Sequence, residues 1–375
     1  MLTIYGKFTN AVVYTVENEL YALDEYARKQ LQMICDHPVS EGSKVRVMPD
    51  VHPGKVGTIG LTMTVRDSVL PSLVGVDIGC GMTMAKIKAK NLQFSQLDTV
   101  IRDKVPVGPR VCKKEHRFFD KIDLKQLSCY KHINAEKAAL SMGSLGGGNH
   151  FIELDKDDEG NLYLVVHSGS RHLGQEVADC YLRLGQKDNQ MKKQGYAPYE
   201  MTCLSGELMS DYLHDIDIIQ EYALLNREAI IDSIVSGMKW KIEDSVTCIH
   251  NYIDMSEMIL RKGAIRAAEG DRVIIPINMK DGIIIGTGLG NPDWNYSAPH
   301  GAGRIYRRSE VAEHHTLSDF KKAMEGIHSV CINKDTLDES PFAYRGIDDI
   351  ADVIRDTVRI DKIIKPVYNY KAGGQ

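Results

Sequence analysis

Apolar residues recur at three- and four-residue steps near the start of the chain: Leu20, Leu23, Ala27, Leu31 and Ile34. That spacing predicts an amphipathic helix over residues 17–35. A longer helix is predicted over 216–238. There Ile219, Ala223, Asn226, Ile230 and Ile234 share one side, and Gly237 stands near the C-terminus. A last helix is predicted over 346–359, ahead of a basic, aromatic tail, Lys365-Pro366-Val367-Tyr368-Asn369-Tyr370-Lys371. Shorter apolar runs lie between. Lys44–Met48 predicts a strand leading into Pro49-Asp50-Val51-His52-Pro53-Gly54, a turn by composition. Leu73–Val76 ends at Asp77-Ile78-Gly79-Cys80-Gly81. Leu162–Val166 predicts a buried strand ending at His167-Ser168-Gly169-Ser170-Arg171, and Val246–Ile249 one ending at His250-Asn251. Val273–Ile277 and Ile283–Ile285 predict a hairpin around Lys280-Asp281-Gly282. Helices and strands alternate without a βαβ rhythm, which favours α+β over a doubly wound sheet. No linker, repeat or low-complexity segment divides residues 1–375, so a single large domain is expected.

Composition narrows the function classes. Of 375 residues, 43% are hydrophobic and 26% charged, the proportions of a globular chain. No apolar run reaches membrane-span length, and the N-terminus has no basic region followed by an apolar block, so a cytoplasmic protein without membrane contact is expected. Eight cysteines, with no CxxC pair, read as packed thiols plus one or two candidate ligands. A net charge of -5 gives no global nucleic-acid signature, so any such binding must use local charge. Arg110, Lys113, Lys114 and Arg117 form one basic stretch; Lys192-Lys193 and Arg307-Arg308 are others. Arg171 and Arg304 stand closest to the candidate chemistry.

Polar residues at the ends of apolar runs are where sites are built, because a sheet fixes them and a loop leaves them accessible. Here those places hold Asp77, Cys80, His150, His167 and His250. Five donors are one short of two three-ligand sites unless the thiolate bridges. A bridging Cys80 gives one group of Asp77, Cys80 and His150 and another of Cys80, His167 and His250. Three protein ligands per ion leave positions open, as catalytic metals require. The competing reading is structural: histidines hydrogen-bonded after strands, and Cys80 as a small packed hydrophobe. His37, His116, His132, His214, His314, His315 and His328 are expected at the surface. Gly143-Ser144-Leu145-Gly146-Gly147-Gly148-Asn149 can form a phosphate nest but lacks the Gly-Lys-Ser/Thr of a P-loop. Gly286-Thr287-Gly288-Leu289-Gly290 lacks the spacing of a dinucleotide fingerprint, and Lys280 reads as a hairpin residue. Ser297-Ala298-Pro299-His300-Gly301-Ala302-Gly303-Arg304 presents a histidine among small residues that let a phosphate approach the backbone, with an arginine to pair with it.

Taken together, MPDVHPGKVGTIG, VGVDIGCG, GSLGGGNHFIEL, VHSGSR, HNY, SAPHGAGR and the basic C-terminal end resemble the RtcB-type RNA ligases, from about Met48 to Lys371. The resemblance implies an α+β single-domain fold with two metals in a deep cleft. It implies a GTP- and manganese-dependent enzyme joining RNA 2′,3′-cyclic phosphate or 3′-phosphate ends to 5′-hydroxyl ends, in RNA repair or tRNA splicing. His300 is then the nucleophile that takes up GMP, Asp50 the acid that orients it, and Arg304 a phosphate contact. Asp77, Cys80, His150, His167 and His250 are the ligands of two Mn2+ ions, with Cys80 shared; the donor set also admits Zn2+ or Co2+. Asn149, His150, Glu153, His250, Asn251, Pro276, Ile277, Asn278, Met279, His300, Gly301, Ala302, Gly303 and Lys371 fall where the family contacts guanylate. The expected partner is RNA with such ends, with room for an archease-like activator, and the chain is expected to be a monomer.

The chain departs from that pattern in places. Pro276-Ile277-Asn278-Met279 stands where Pro-Gly-Ser-Met is expected, Ile283 where a serine is expected, and His172 where a smaller residue is expected. Two competing readings use the same ligands: a dinuclear metal-dependent phosphoesterase without nucleotide transfer, with His300 as general acid, and a metal-stabilised RNA-binding protein.

Overall fold

In the computed structural model the described residues are 1–15, 22–191 and 198–371. Two large sheets dominate. Strands Lys241–Ile249, Gly81–Lys88, Leu162–Ser168, Phe151–Lys156, Val358–Lys371, Gly282–Gly288 and Arg272–Asn278 lie in that order in a seven-stranded sheet, every pair antiparallel. A six-stranded sheet runs Leu2–Tyr5, Asn10–Val13, Val45–Pro53, Thr58–Thr64, Ile259–Lys262 and Asn251–Asp254, with one parallel pair, Asn10–Val13 against Val45–Pro53. The mixed α/β architecture agrees with the absence of a βαβ rhythm. Among the described residues no helix is long and apolar enough to cross a membrane.

The predicted hairpin is present, with Ile275 opposite Ile284. The long helix is longer than its apolar stripe suggests, Gly206–Met238, and ends on a left-handed Lys239. The first helix spans only Glu25–Cys35, because Asp24 caps it by accepting from Tyr26 N at 2.7 Å and Ala27 N at 3.1 Å. Residues 17–21 of that prediction, and Lys192-Lys193, lie outside the described residues.

Three expectations are corrected. The Pro49–Gly54 turn is mostly strand, since Val45–Pro53 resumes pairing at His52 opposite Ile59 after an irregularity. Leu73–Val76 enters a single helical turn, Pro71–Val74, so Asp77 and Cys80 precede a strand rather than follow one. The predicted 346–359 helix stops at Val353, and the basic tail is the second half of a strand, Val358–Lys371, which pairs with Gly282–Gly288 over its first half and with Phe151–Lys156 over Lys365–Lys371. In the first and third cases long-range pairing overrides local preference; in the second, Pro71 at the first helical position favours the turn.

The long helix crosses behind the seven-stranded sheet and ties its loops with two adjacent side chains. Asn226 is fully buried. Its Oδ1 accepts from Gly143 N at 2.8 Å and Ser144 N at 3.2 Å, and its Nδ2 is shared among Ser144 O, Ser168 Oγ and Gly169 O at 3.0–3.2 Å. Arg227, also fully buried, donates to Gly79 O at 2.8 Å, Ser168 O at 3.0 Å and Thr83 Oγ1 at 3.1 Å. Asn226→Ala is expected to destabilise the fold by about 2–4 kcal/mol, because it strands several buried partners at once. The shift in the urea midpoint checks this, with Asn226→Asp, which keeps the acceptor, expected to be milder.

Candidate active site and metal centre

The antiparallel register brings the candidate ligands to one edge of the seven-stranded sheet. His167 lies opposite Phe151, so His150 is its neighbour. Gly81 lies opposite both Ser168 and Ile249, so Cys80 and His250 arrive beside them. His250 N also donates to Cys80 O at 2.9 Å. Cys80, His167 and His250 form one group of potential ligand atoms and Asp77, Cys80 and His150 another, each within 4.8 Å, with Cys80 common to both. A Cβ on Gly169 would overlap the Asp77 carboxylate, so this position must be glycine.

The donor set fits cations. Cys80 Sγ lies 3.4 Å from the Nε2 of His150 and of His167, and His150 Nε2 is 3.1 Å from Asp77 Oδ2. His167 Nε2 is 3.4 Å from His250 Nε2. His167 Nδ1 faces Asn149 O at 3.3 Å. A carbonyl only accepts, so this nitrogen carries the proton and Nε2 is bare. Donor atoms gathered at these separations are placed as they would be around a shared cation. Burial and neighbouring histidines hold His167 and His250 well below the usual imidazole range, so both are neutral ligands at pH 7. Burial would raise the Asp77 carboxyl, but His150 outweighs it and Asp77 sits at about 2. Burial, then the Asp77 charge, pushes the Cys80 thiol well up, so a cation is what would draw off its proton.

Beside this cluster lies an open cleft. His300 lines it, 20% exposed, with Nδ1 2.6 Å from Oδ2 of the fully buried Asp50. The ring of His250, itself a member of the ligand cluster, is 4.7 Å away. Gly303 has φ +78° and packs against the Asp50 backbone, where a Cβ would come within 2.9 Å. Asn149, Glu153, Pro276, Ile277, Asn278, Met279, Gly301, Ala302, Arg304 and Lys371 also line the cleft. Lys371 and Asn369 reach it because they pair with Phe151 and Glu153. Burial raises Glu153 to about 7, against the Asn369 hydrogen bond and the Lys371 charge.

Some residues sit differently from expectation. Asn251 does not line the cleft; its Oδ1 accepts from Gly263 N at 3.0 Å and so braces the neighbouring strand. Asn278 Oδ1 is turned to the hairpin, accepting from Lys280 N and Asp281 N at 2.9 Å. Ile283 is fully buried in the apolar core and His172 faces Ser141 Oγ, so neither departure alters the cleft wall. Arg171 is committed to Ser144 Oγ and Gly108 O, a brace for the glycine loop. His132, His214 and His314 are exposed as expected, whereas His37, His116, His315 and His328 are half-buried. Three cleft residues had no sequence signal that singled them out: Glu339, Tyr344 and Asn369. Glu339 accepts from Lys371 Nζ and Tyr344 Oη at 2.6 Å; burial would raise its carboxyl, but the Lys371 and Arg308 charges outweigh that and hold it at about 2.

A family model described as tRNA-splicing ligase RtcB matches residues 30–130 and 112–372. The chain belongs to the RtcB family. It is 28% identical over 363 residues to the RNA-splicing ligase RtcB of Escherichia coli K12, covering 86% of this chain and 88% of that one. It is 25% identical over 405 residues to the tRNA-splicing ligase RtcB of Aeropyrum pernix, covering 82% and 83%. With the tRNA-splicing ligase RtcB of Thermococcus kodakarensis the figures are 24% over 447 residues and 91% of each chain. The RtcB resemblance read from the motifs therefore holds over nearly the whole length.

Proposed function

We propose that this chain is a GTP-dependent RNA ligase that joins 2′,3′-cyclic phosphate or 3′-phosphate ends to 5′-hydroxyl ends, in RNA repair or tRNA splicing. The observation that carries this reading is the His300–Asp50 pair, set in the wall of a cleft beside the five-donor cluster. A carboxylate accepts, so the Nδ1 proton of His300 points at Asp50 and the Nε2 lone pair is free to attack.

Attack on the α-phosphorus of GTP forms an N–P bond and breaks the bond to pyrophosphate, which leaves. The imidazole becomes cationic without losing a proton, and the buried Asp50 charge stabilises it. A 3′-phosphate on RNA then takes the guanylate from His300. Finally the 5′-hydroxyl displaces GMP and closes the phosphodiester. Cyclic ends are first opened to 3′-phosphates. Asp77, Cys80, His150, His167 and His250 would hold two divalent cations, which supply charge neutralisation and Lewis acidity at the phosphates. Manganese is the proposed metal, and the thiolate and imidazole donors also suit zinc or cobalt. Lys371 and Glu153 offer a cation and an acid to the base, and the backbone of Gly301–Gly303 lets phosphate come close.

The test is incubation with manganese and α-labelled GTP, followed by a denaturing gel. A protein-bound label that is acid-labile and alkali-stable, as a phosphoramidate is, supports the reading. A folded, metal-loaded protein that takes no label overturns it in favour of a phosphoesterase.

A further inference from the structure

His52 lies two residues beyond Asp50, at the end of the strand Val45–Pro53. Its Nδ1 is 2.9 Å from the backbone carbonyl of Asp50. A carbonyl only accepts, so Nδ1 carries the ring proton and Nε2 presents a lone pair. The position of His52 is distinctive. It lines the His300 cleft and also a neighbouring groove, and Arg304 and Arg308 are the other two residues shared by both. Arg304, Arg307, Arg308 and Arg345 line the groove, with Asp24 paired to Arg307 on one wall and Asp338 and Glu339 paired to Arg308, and Tyr306 adds an aromatic face. Two walls of one passage thus meet at an imidazole with a free acceptor.

We propose that the groove receives the 5′-hydroxyl end of the RNA and that His52 is a catalytic residue of the sealing step, accepting the hydroxyl proton at Nε2. The proposal rests on the ligase reading of the cleft. In that step the O5′–P bond forms, the bond from phosphorus to the guanylate breaks, and GMP leaves. The proton of the 5′-hydroxyl passes to His52 Nε2 and then to solvent. His300 faces the departing GMP inside the cleft, whereas His52 faces the side from which the second RNA end arrives.

The surroundings suit an acceptor. Asp50 lies on the strand of His52; His300, Arg304 and Arg308 face it from the segment after the strand Ser297–Pro299, Asp338, Glu339 and Arg345 lie behind the arginines, and Asp24 lies across the groove, paired with Arg307. Burial above all, with the positive charges of His300 and Arg304 against the pull of Asp50, holds His52 at about 4. It is therefore neutral at pH 7 and able to accept. Phosphates bound by Arg304 and Arg308 would offset the cationic part of that depression and raise its basicity when RNA is in place.

The experiment separates the steps. His52→Asn keeps an N–H donor for the Asp50 carbonyl but has no lone pair at the Nε2 position; His52→Ala has neither. Each is assayed for labelling by α-labelled GTP and for single-turnover sealing of RNA already carrying the 3′-guanylate. Both variants are expected to slow sealing by about 100-fold or more, and to slow labelling far less. The low-pH limb of the wild-type sealing profile is expected to vanish in His52→Asn. Restoration of sealing by His52→Asn, an unchanged pH profile, or a parallel loss of labelling in a folded variant would each overturn the proposal. Wild-type protein that neither labels nor seals guanylated RNA would overturn the ligase reading, and this proposal with it.

Discussion

His300→Ala is expected to take up no labelled guanylate while binding as much metal as the parent chain. The side chain supplies a nitrogen that the hydrogen bond to the Asp50 carboxylate leaves with a lone pair at the cleft wall. His300 belongs to neither ligand group, so its loss should leave metal content intact. The alanine variant carries a separate cost. Asp50 is fully buried and its Oδ1 already lacks a partner, so removing the ring strands the rest of the carboxylate. That should destabilise the fold by about 1–3 kcal/mol. His300→Asn avoids most of this cost, because its amide can donate to Asp50 while offering no nucleophile. It is expected to melt near the parent temperature and still take no label. Labelling of either variant would place the nucleophile elsewhere. Loss of metal and label together would make His300 a structural residue. Asp50→Asn is the complementary change: it puts an N–H where Nδ1 needs an acceptor, so the ring loses its preferred tautomer. Labelling should slow by about 100-fold or more, with His300 still in place.

The site was more legible in the sequence than the fold around it. Asp77, Cys80, His150, His167 and His250 stand next to glycines or at the ends of apolar runs, and residue chemistry alone required Cys80 to be shared. What the sequence could not give was the register that unites them. That depends on Gly81 facing both Ser168 and Ile249, and on Phe151 facing His167. The C-terminal tail shows the same limit. Lys365–Lys371 is basic and aromatic like a surface tail, yet it pairs with Phe151–Lys156 and carries Lys371 into the cleft. Glu339 became visible only once Lys371, Tyr344, Arg304 and Arg308 converged on it. Arg304 was expected to contact phosphate directly. Its guanidinium is instead held by Tyr306 O, Asp338 O and Tyr344 Oη, so phosphate would meet an arginine already fixed in place. His52 was the miss with a signal behind it: a histidine two residues from a buried acid, read as part of a turn because prolines and a glycine surround it.

Cys80→Ala is expected to lose both cations, and this is the sharpest test of how the centre is built. Each ligand group has three members, and Cys80 is the one they share. Removing it leaves Asp77 and His150 on one side and His167 and His250 on the other, two donors each, too few to fix an ion tightly. Asp77→Ala should weaken only the first group, and His250→Ala only the second. Elemental analysis after manganese loading and desalting reads the stoichiometry directly. Thermal melts give an independent reading, because a bound ion stabilises the fold by mass action, and an excess of about 100 times the dissociation constant adds about 2.7 kcal/mol. The parent chain should therefore show a large manganese-dependent rise in melting temperature, the two single-group variants a smaller one, and Cys80→Ala almost none. The thiol-to-methyl change itself is mild, since Cys80 is buried and alanine fills most of its space. A low melting temperature without metal would thus point to misfolding, whereas a parent-like one with no manganese response isolates the ligand role. Retention of one ion in Cys80→Ala would show that the thiolate serves a single centre, and the two groups would then have to be filled independently.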